Sequence, residues 1–327
     1  MKKKIIQTFF VIICVGCVIF CSILSYQQMT TPDESNHESD LENDGSNTNQ
    51  DEYIYKEELL HLGYNINDIK TIENKLSNID VKNFLLTEKY NNITNFITSP
   101  YFKIENIKRY QTYFDNTSYT SDMVVLYVEI GLDNDFYTNI KETDTTQNEL
   151  MIVNKYNALK GDYIPELKTL NSKYGSGQLE PTTHDAFIKM CDAAAIENIT
   201  LKSVSAYRSY KTQETLYNNY SKRDGQKAAD TYSARPGHSE HQTGLAIDIN
   251  TASSSAHFEN TKEYEWLINN SYKYGFILRY PNNKSHITGY KYEPWHYRYV
   301  GIEAATKIYT ENITYEEYVV KFLNNSY

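Results

Sequence analysis

The chain has 327 residues and a formal net charge of −10. Lys2, Lys3 and Lys4 contribute +3 and the eight acidic residues of residues 27–52 contribute −8, which leaves −5 for residues 53–327. This mildly acidic remainder carries no basic stripe, so composition and charge exclude nucleic acid as an expected partner.

A mostly apolar run from Ile5 to Leu24 follows the three lysines. Its length is about the twenty residues that cross a bilayer, and lysines at this end are expected to stay in the cytoplasm. Because no A-x-A-like cleavage site follows, we predict that residues 1–26 form an uncleaved single-pass membrane anchor. The alternatives are a cleaved signal peptide and lipidation at Cys17.

The segment after the anchor, residues 27–52, has no basic residue and too few apolar residues to bury a core. We predict a disordered acidic linker that holds an extracytoplasmic enzyme off the membrane. Three of the four cysteines lie in the apolar run, so no disulfide is expected beyond it. Cys191 falls on an apolar stripe at helical spacing and is predicted to be a buried core residue.

Residues 53–149 form an N-terminal accessory region in which no catalytic constellation stands out. Apolar residues at helical spacing after Asn67 predict a helix, and residues 81–90 predict another. The β-branched runs Val124–Val128 and Leu150–Val153 are predicted to be strands. The sequence leaves open whether this region is a separate small domain or an extension whose last strand joins the catalytic sheet.

The next part of the chain mixes helices and strands. The predicted helices cover residues 184–198, 212–220, 261–274 and 302–308, and the predicted strands cover residues 201–206, 245–249, 276–279 and 296–300. Strands separated by helical and irregular segments favour an α+β domain with a mostly antiparallel central sheet and flanking helices. We assign residues 150–312 to this domain and residues 313–327 to a C-terminal helix.

Two motifs within this domain carry chemistry. The first runs from Ser239 to Asp248, and the second is Glu293-Pro294-Trp295-His296. Apolar residues alternate with small and polar ones after Gly244, so Asp248 is expected to point away from the core. Either motif alone is more often structural than metal-binding. Together they offer two imidazoles, a carboxylate ligand and a second carboxylate that can act as a base, which predicts a hydrolytic zinc site.

The pattern S-x-H-x-x-G-x-A-x-D followed by E-P-W-H resembles the VanY-type zinc D-alanyl-D-alanine carboxypeptidases, which are related to VanX dipeptidases and to L,D-carboxypeptidases. Further matches are Ser205–Tyr210, Tyr232–His238 and Tyr274–Pro281. The resemblance covers about residues 150–310. It implies the Hedgehog/D,D-peptidase-like fold for the catalytic domain.

The resemblance also implies roles for individual residues. His241, Asp248 and His296 correspond to the three ligands of one zinc ion, with a fourth position open for water. Glu293 corresponds to the general base, and Arg208 to the arginine that stabilises the oxyanion.

Gln213 and Ser239 are expected to contact substrate, and the alternative for both is a capping role. Arg235 and Arg279 are expected in structural ion pairs. The other histidines near the motifs are predicted to be solvated or to lie behind the ligands; these are His238, His257 and His286.

The family implies a carboxypeptidase that removes the C-terminal D-alanine from peptidoglycan stem peptides, and we expect it to be a monomer. The first alternative is an L,D-carboxypeptidase that acts on tetrapeptide stems. The second is a non-catalytic cell-wall binding module on the same fold, which would be expected to lack Glu293 or a zinc ligand. The sequence does not distinguish a terminal D-alanine from a terminal D-lactate.

Overall fold

The computed structural model describes residues 54–323. The predicted membrane anchor (1–26) and acidic linker (27–52) lie outside this range and stay predictions. Among the described residues, no helix combines the length and the apolar character that crossing a bilayer requires.

The N-terminal part of the described chain is helical. Its helices are α1 (Lys56–His61), α2 (Ile66–Lys75), α3 (Asn78–Asp80), α4 (Ile93–Ile97), α5 (Ile107–Asp115) and α6 (Ser121–Ile130). The predicted helix around Ile69 is α2, which begins at a reciprocal cap between Asn65 and Asp68. The helix predicted over residues 81–90 is shorter, because only Val81–Leu85 is helical and it forms a π-helical turn.

The predicted strand at Val124–Val128 is wrong, because these residues lie within α6. All seven residues from Val124 to Ile130 are buried. A helix that is apolar all round loses its 3.6-residue periodicity, so its β-branched run looks like a buried strand. The strand predicted at Leu150–Val153 is also absent. Leu150 ends a 3₁₀ helix, and the next three residues have irregular backbone.

The central sheet confirms the predicted α+β class with antiparallel strands. Two small pairs precede it: β1 (Lys141–Glu142) with β2 (Asn157–Ala158), and β3 (Lys168–Thr169) with β4 (Gln178–Leu179). The four strands of the sheet are β5 (Lys202–Ser205), β6 (Ala246–Asn250), β7 (Phe276–Leu278) and β8 (His296–Tyr299). Their order is β5-β6-β8-β7, and every pairing is antiparallel. No strand from residues 54–149 belongs to this sheet.

Helices surround the sheet. They are α7 (Pro181–Ile196), α8 (Tyr210–Asp224), α9 (Gln226–Ala229), α10 (Lys262–Asn270), α11 (Ser285–Thr288), α12 (Ile302–Glu311) and α13 (Tyr315–Phe322). One core cluster joins Phe187 and Met190 of α7 to Leu245, Ile247 and Ile249 beside and within β6. Cys191 is in the same cluster, as predicted.

A buried lysine joins the segment after α6 to the segment after α11. The ammonium of Lys155 donates to the carbonyl of Asp230 at 2.5 Å and lies 3.9 Å from the ring centre of Tyr290 and 4.6 Å from that of Tyr137. Burial lowers the pKa of Lys155 to about 7. Gly289, with a φ of +74°, leaves room for the aliphatic part of the Lys155 side chain, because a Cβ at Gly289 would lie 2.2 Å from the Lys155 Cε.

Because Lys155 lies so close to Gly289, we predict that Gly289→Ala destabilises the protein. Strain in the left-handed region costs roughly 1–3 kcal/mol, and the clash with Lys155 adds to it. Gly131→Ala is a matched control, since Gly131 is also left-handed, with a φ of +99°, and an added Cβ there would meet only the Tyr156 ring at an ordinary 3.7 Å. Urea denaturation should show a clearly larger loss of unfolding free energy for Gly289→Ala. Equal losses for the two variants would contradict this account of the packing.

Candidate metal centre and active site

The zinc ligands predicted from sequence come from two neighbouring strands and a turn. Asp248 of β6 lies directly opposite His296 of β8 in the antiparallel register. His241 lies in the 3₁₀ turn Glu240–Thr243, which ends at Gly244 with a φ of +72°. The residues flanking Asp248 on β6 enter the core, so the pleat turns the Asp248 carboxylate to the other face of the strand.

The structure brings the three side chains together. The Asp248 carboxylate lies 3.4 Å from His241 Nε2 and 3.0 Å from His296 Nδ1. One ligand atom from each residue lies within 4.8 Å of the other two. Both histidines are buried.

The remaining nitrogen of each imidazole has its own partner. His241 Nδ1 donates to the carbonyl of Ala206 at 2.7 Å, and His296 Nε2 lies 3.3 Å from the Glu240 carboxylate. These contacts hold each ring and leave His241 Nε2 and His296 Nδ1 turned towards Asp248. Two imidazole nitrogens and one carboxylate, with a position left open, form the donor set of a catalytic zinc site.

The electrostatics of the site favour a cation. Burial alone would lower the pKa of His296, yet hydrogen bonds to Asp248 and Glu240 raise it to about 9. Burial would likewise raise the pKa of Asp248, but the adjacent His241 and His296 hold it well below its ordinary value. A divalent ion satisfies the same demand for positive charge in place of the proton. Zinc is therefore the cofactor that this donor set takes.

Glu293 lies beside the ligands but outside the cluster of three. Its carboxylate is 4.0 Å from His296 Nδ1, the nitrogen that faces the metal position. The turn at Pro294 allows this approach, and the backbone N–H of His296 donates to the Glu293 carbonyl at 3.2 Å. Burial raises the pKa of the Glu293 carboxyl to about 7.

Arg208 is fixed by two side-chain contacts. It donates to Gln213 Oε1 at 2.9 Å and to Ser205 Oγ at 3.0 Å. Gln213 is buried and donates in turn to the Ala234 carbonyl at 2.6 Å. Gln213 is therefore not a helix cap, since Ser209 caps α8. Gln213 orients Arg208. The contact of Arg208 with the Ser205 hydroxyl was not predicted from the sequence.

The three ligands, Glu293, Arg208 and Gln213 all line one cavity of about 430 Å³. Ser239 is buried and lines it too, and its side chain makes no capping hydrogen bond to the 3₁₀ turn that follows it. Aromatic side chains form much of the remaining wall; they are Tyr220, Tyr232, Tyr280, Tyr290, Tyr292 and Trp295.

Glu240 is a supporting residue that the sequence analysis missed. One carboxylate oxygen faces His296, and the other accepts from Arg279 at 2.8 Å and from Arg298 at 3.0 Å. Burial would raise its pKa, but the two guanidiniums hold the pKa well below the ordinary range. Its position between Ser239 and His241 was a usable signal, because a charged residue in a buried motif needs partners.

The other histidines and arginines lie outside the ligand cluster. His238 is buried and contacts the carbonyl of Asn154 at 2.7 Å, whereas His257 is exposed beside Glu259. His286 is exposed and contacts Tyr127. Arg235 pairs with Asp230 and Arg279 with two glutamates, so the structural ion pairs predicted for both arginines are confirmed.

Comparison with known proteins agrees with this geometry. Residues 176–302 match the family described as VanY, D-alanyl-D-alanine carboxypeptidase. The Bacillus subtilis protein YodJ is 40% identical over 210 residues, which are 59% of this chain and 77% of that protein. A D-alanyl-D-alanine carboxypeptidase of Enterococcus faecalis is 38% identical over 197 residues, which are 57% of this chain and 71% of the relative.

A solved structure extends the comparison to the fold. The LdcB LD-carboxypeptidase has a TM-score of 0.53 and 40% identity, and the match covers 57% of this chain and 94% of that one. Identity at this level, over most of the length of each relative, shows common descent and a carboxypeptidase activity. The chain belongs to the VanY family of D-alanyl-D-alanine carboxypeptidases.

Proposed function

We propose that the protein is a zinc-dependent carboxypeptidase that removes the C-terminal D-alanine from peptidoglycan stem peptides. The observation that carries the proposal is the cluster of His241, Asp248 and His296 beside Glu293, at the wall of a cavity large enough for the end of a peptide. Zinc held by the three ligands would polarise the scissile carbonyl and make water a better nucleophile near neutral pH.

Glu293 is the proton carrier in this proposal. Its carboxylate takes a proton from the attacking water and returns it to the nitrogen of the departing D-alanine. A carboxyl group whose pKa is raised to about 7 by burial is suited to both steps, since it gains and loses the proton near neutral pH.

Arg208 stabilises the oxyanion that forms on the scissile carbonyl. Its guanidinium is already held by Ser205 and Gln213, so no reorientation is needed when the negative charge develops. Gln213 acts through Arg208, because its oxygen and its nitrogen are both engaged within the protein. Of the two residues predicted to contact substrate, only Ser239 keeps that role, and its hydroxyl can donate a hydrogen bond to the substrate.

The second candidate is an L,D-carboxypeptidase, which the likeness to the LdcB LD-carboxypeptidase favours. The two activities use the same chemistry and differ in the residue before the scissile bond. A non-catalytic module is disfavoured, because Glu293 and the three ligands lie together.

Defined stem peptides test the proposed specificity. We expect the zinc-loaded enzyme to release D-alanine from a pentapeptide ending in D-Ala-D-Ala faster than from the matching tetrapeptide. Mass spectrometry of the products gives both rates. A preference for the tetrapeptide would assign the second activity, and cleavage of neither substrate by zinc-loaded protein would favour the binding module.

His241→Ala should lose the metal, because it removes one of three protein ligands. We expect about one zinc per chain in the wild type and a large loss in the variant. Metal analysis after dialysis measures the occupancy. His257→Ala is the control, since His257 is exposed and outside the site. Full zinc occupancy in His241→Ala would refute the ligand assignment.

Glu293→Gln should keep zinc and lose the base. Glutamine has nearly the same size and shape as glutamate but cannot accept the proton. We therefore expect kcat to fall by about 10² or more, the usual scale for a lost general base. In the wild type, kcat/KM should fall as the pH is lowered through the Glu293 pKa, because the protonated carboxyl cannot accept a proton. The variant should lack this acid limb.

Glu259→Gln, at a carboxylate outside the catalytic cavity, should leave the pH profile of kcat/KM unchanged. Near-normal activity of zinc-loaded Glu293→Gln would contradict the role of Glu293 as the base.

A further inference from the structure

A second cavity, of about 240 Å³, lies between the N-terminal helices and the catalytic region. Five of its nine lining residues are aromatic: Tyr113, Tyr119, Tyr127, Phe136 and Tyr156. Tyr119 meets Tyr127 edge to face with ring centres 5.1 Å apart, and Phe136 packs against Tyr156 at 5.6 Å. The rings therefore form a packed, preformed wall.

Polar groups at the cavity include both donors and acceptors. Asp135 and His286 are exposed, and Asn134 lies beside them on the wall. His286 Nε2 is 3.4 Å from the Tyr127 hydroxyl. Flat apolar rings with a few polar groups are typical of small-molecule sites. Since donors and acceptors are mixed at the wall and only one of the lining residues is a carboxylate, the wall suits a neutral polyhydroxyl ligand. An organic cation over the aromatic rings is the competing ligand, so a cationic probe is part of the test.

This cavity lies near the catalytic cavity, although the two have no lining residue in common. Phe136 lines the second cavity, and its neighbour Tyr137 contacts the hydroxyl of Tyr290, which lines the catalytic cavity. His286 and Tyr290 lie close together in the sequence. His286 lines the second cavity, and Tyr290 lines the catalytic cavity. Lys155 fills the space between them, with its ammonium over the rings of Phe136 and Tyr290.

We propose that the second cavity binds one sugar ring, an N-acetylhexosamine of the glycan strand that carries the stem peptide. A pyranose ring presents a flat C–H face to aromatic rings and hydroxyl and amide groups to polar side chains. It is smaller than the drug-sized ligands for which pockets of roughly 300–1,000 Å³ are typical, which fits the volume. The glycan identity rests on the proposed function, because the strand lies next to the catalytic cavity only if a stem peptide occupies it.

The proposed site lies mainly in the N-terminal part of the described chain. Eight of its nine lining residues precede residue 176, where the match to the family begins, and His286 is the exception. The site therefore gives the accessory region a function: it positions the polymer while the catalytic cavity takes the peptide.

The test compares two substrates in the full-length, zinc-loaded protein: a free pentapeptide, and the same pentapeptide on an N-acetylglucosamine–N-acetylmuramic acid disaccharide. We expect Tyr119→Ala and Asp135→Asn to raise KM for the disaccharide substrate about three- to tenfold, the scale of one ring contact. KM and kcat for the free pentapeptide should stay unchanged. The matched controls are Tyr309→Ala, at an exposed tyrosine stacked on Tyr272, and Asp162→Asn, at an exposed aspartate. Neither should affect either substrate.

Calorimetric titration with the peptide-free disaccharide gives a readout independent of catalysis. Binding that weakens in Tyr119→Ala supports the site, and absent binding, or binding equal in all variants, overturns it. Nα-acetyl-lysine amide is the cationic probe, and binding of this probe alone also overturns the sugar assignment. An uncleaved free pentapeptide would instead refute the proposed function, while disaccharide binding would still be measurable.

Discussion

The arrangement of the active site depends on one buried cluster of charges. Glu240, Arg279, Arg298 and Glu316 are all buried, and their formal charges sum to zero. Arg279 joins the two glutamates, with one hydrogen bond to Glu240 and a bidentate pair of hydrogen bonds to Glu316. Buried charges are tolerated only when they are paired, and loss of one partner typically costs about 3–5 kcal/mol. Because Glu240 also contacts His296, the cluster fixes the orientation of a metal ligand.

The cluster explains why distant parts of the chain belong to one site. Glu240 comes from the turn that carries His241, Arg298 from β8, and Glu316 from α13. Arg298 also donates to the carbonyls of Glu149 and Met151, before the catalytic motifs. Residues 151–153 were predicted to belong to a strand, but their backbone is irregular. It is held at Met151 by the Arg298 side chain and not by pairing within a sheet. The C-terminal helix, predicted as a separate segment, anchors the metal site.

A short-range pattern predicted the direction of Asp248, the family resemblance supplied the ligand set, and non-local packing determined what the sequence could not show. Alternation along β6 is a short-range signal, so the placement of Asp248 followed from it. The strand predicted at Val124–Val128 failed because burial on all sides removes the periodicity of a helix. The contacts of Arg298 join residues almost 150 positions apart, and no spacing rule reports such pairs. Even the function of Gln213 depended on Arg208 and Ala234, which only the fold brings beside it.

Two carboxylates in the same cavity have opposite properties because their surroundings differ. Asp248 lies between two imidazoles, which hold its pKa well below the ordinary value and keep it anionic, as a metal ligand must be. Glu293 is also largely buried, but the nearest imidazole nitrogen, His296 Nδ1, is 4.0 Å away, and burial raises the pKa of Glu293 to about 7. Environments that push two pKa values apart separate an anion from a proton carrier. The strand pairing that sets Asp248 against His296 and the proline turn that holds Glu293 back therefore assign the two roles.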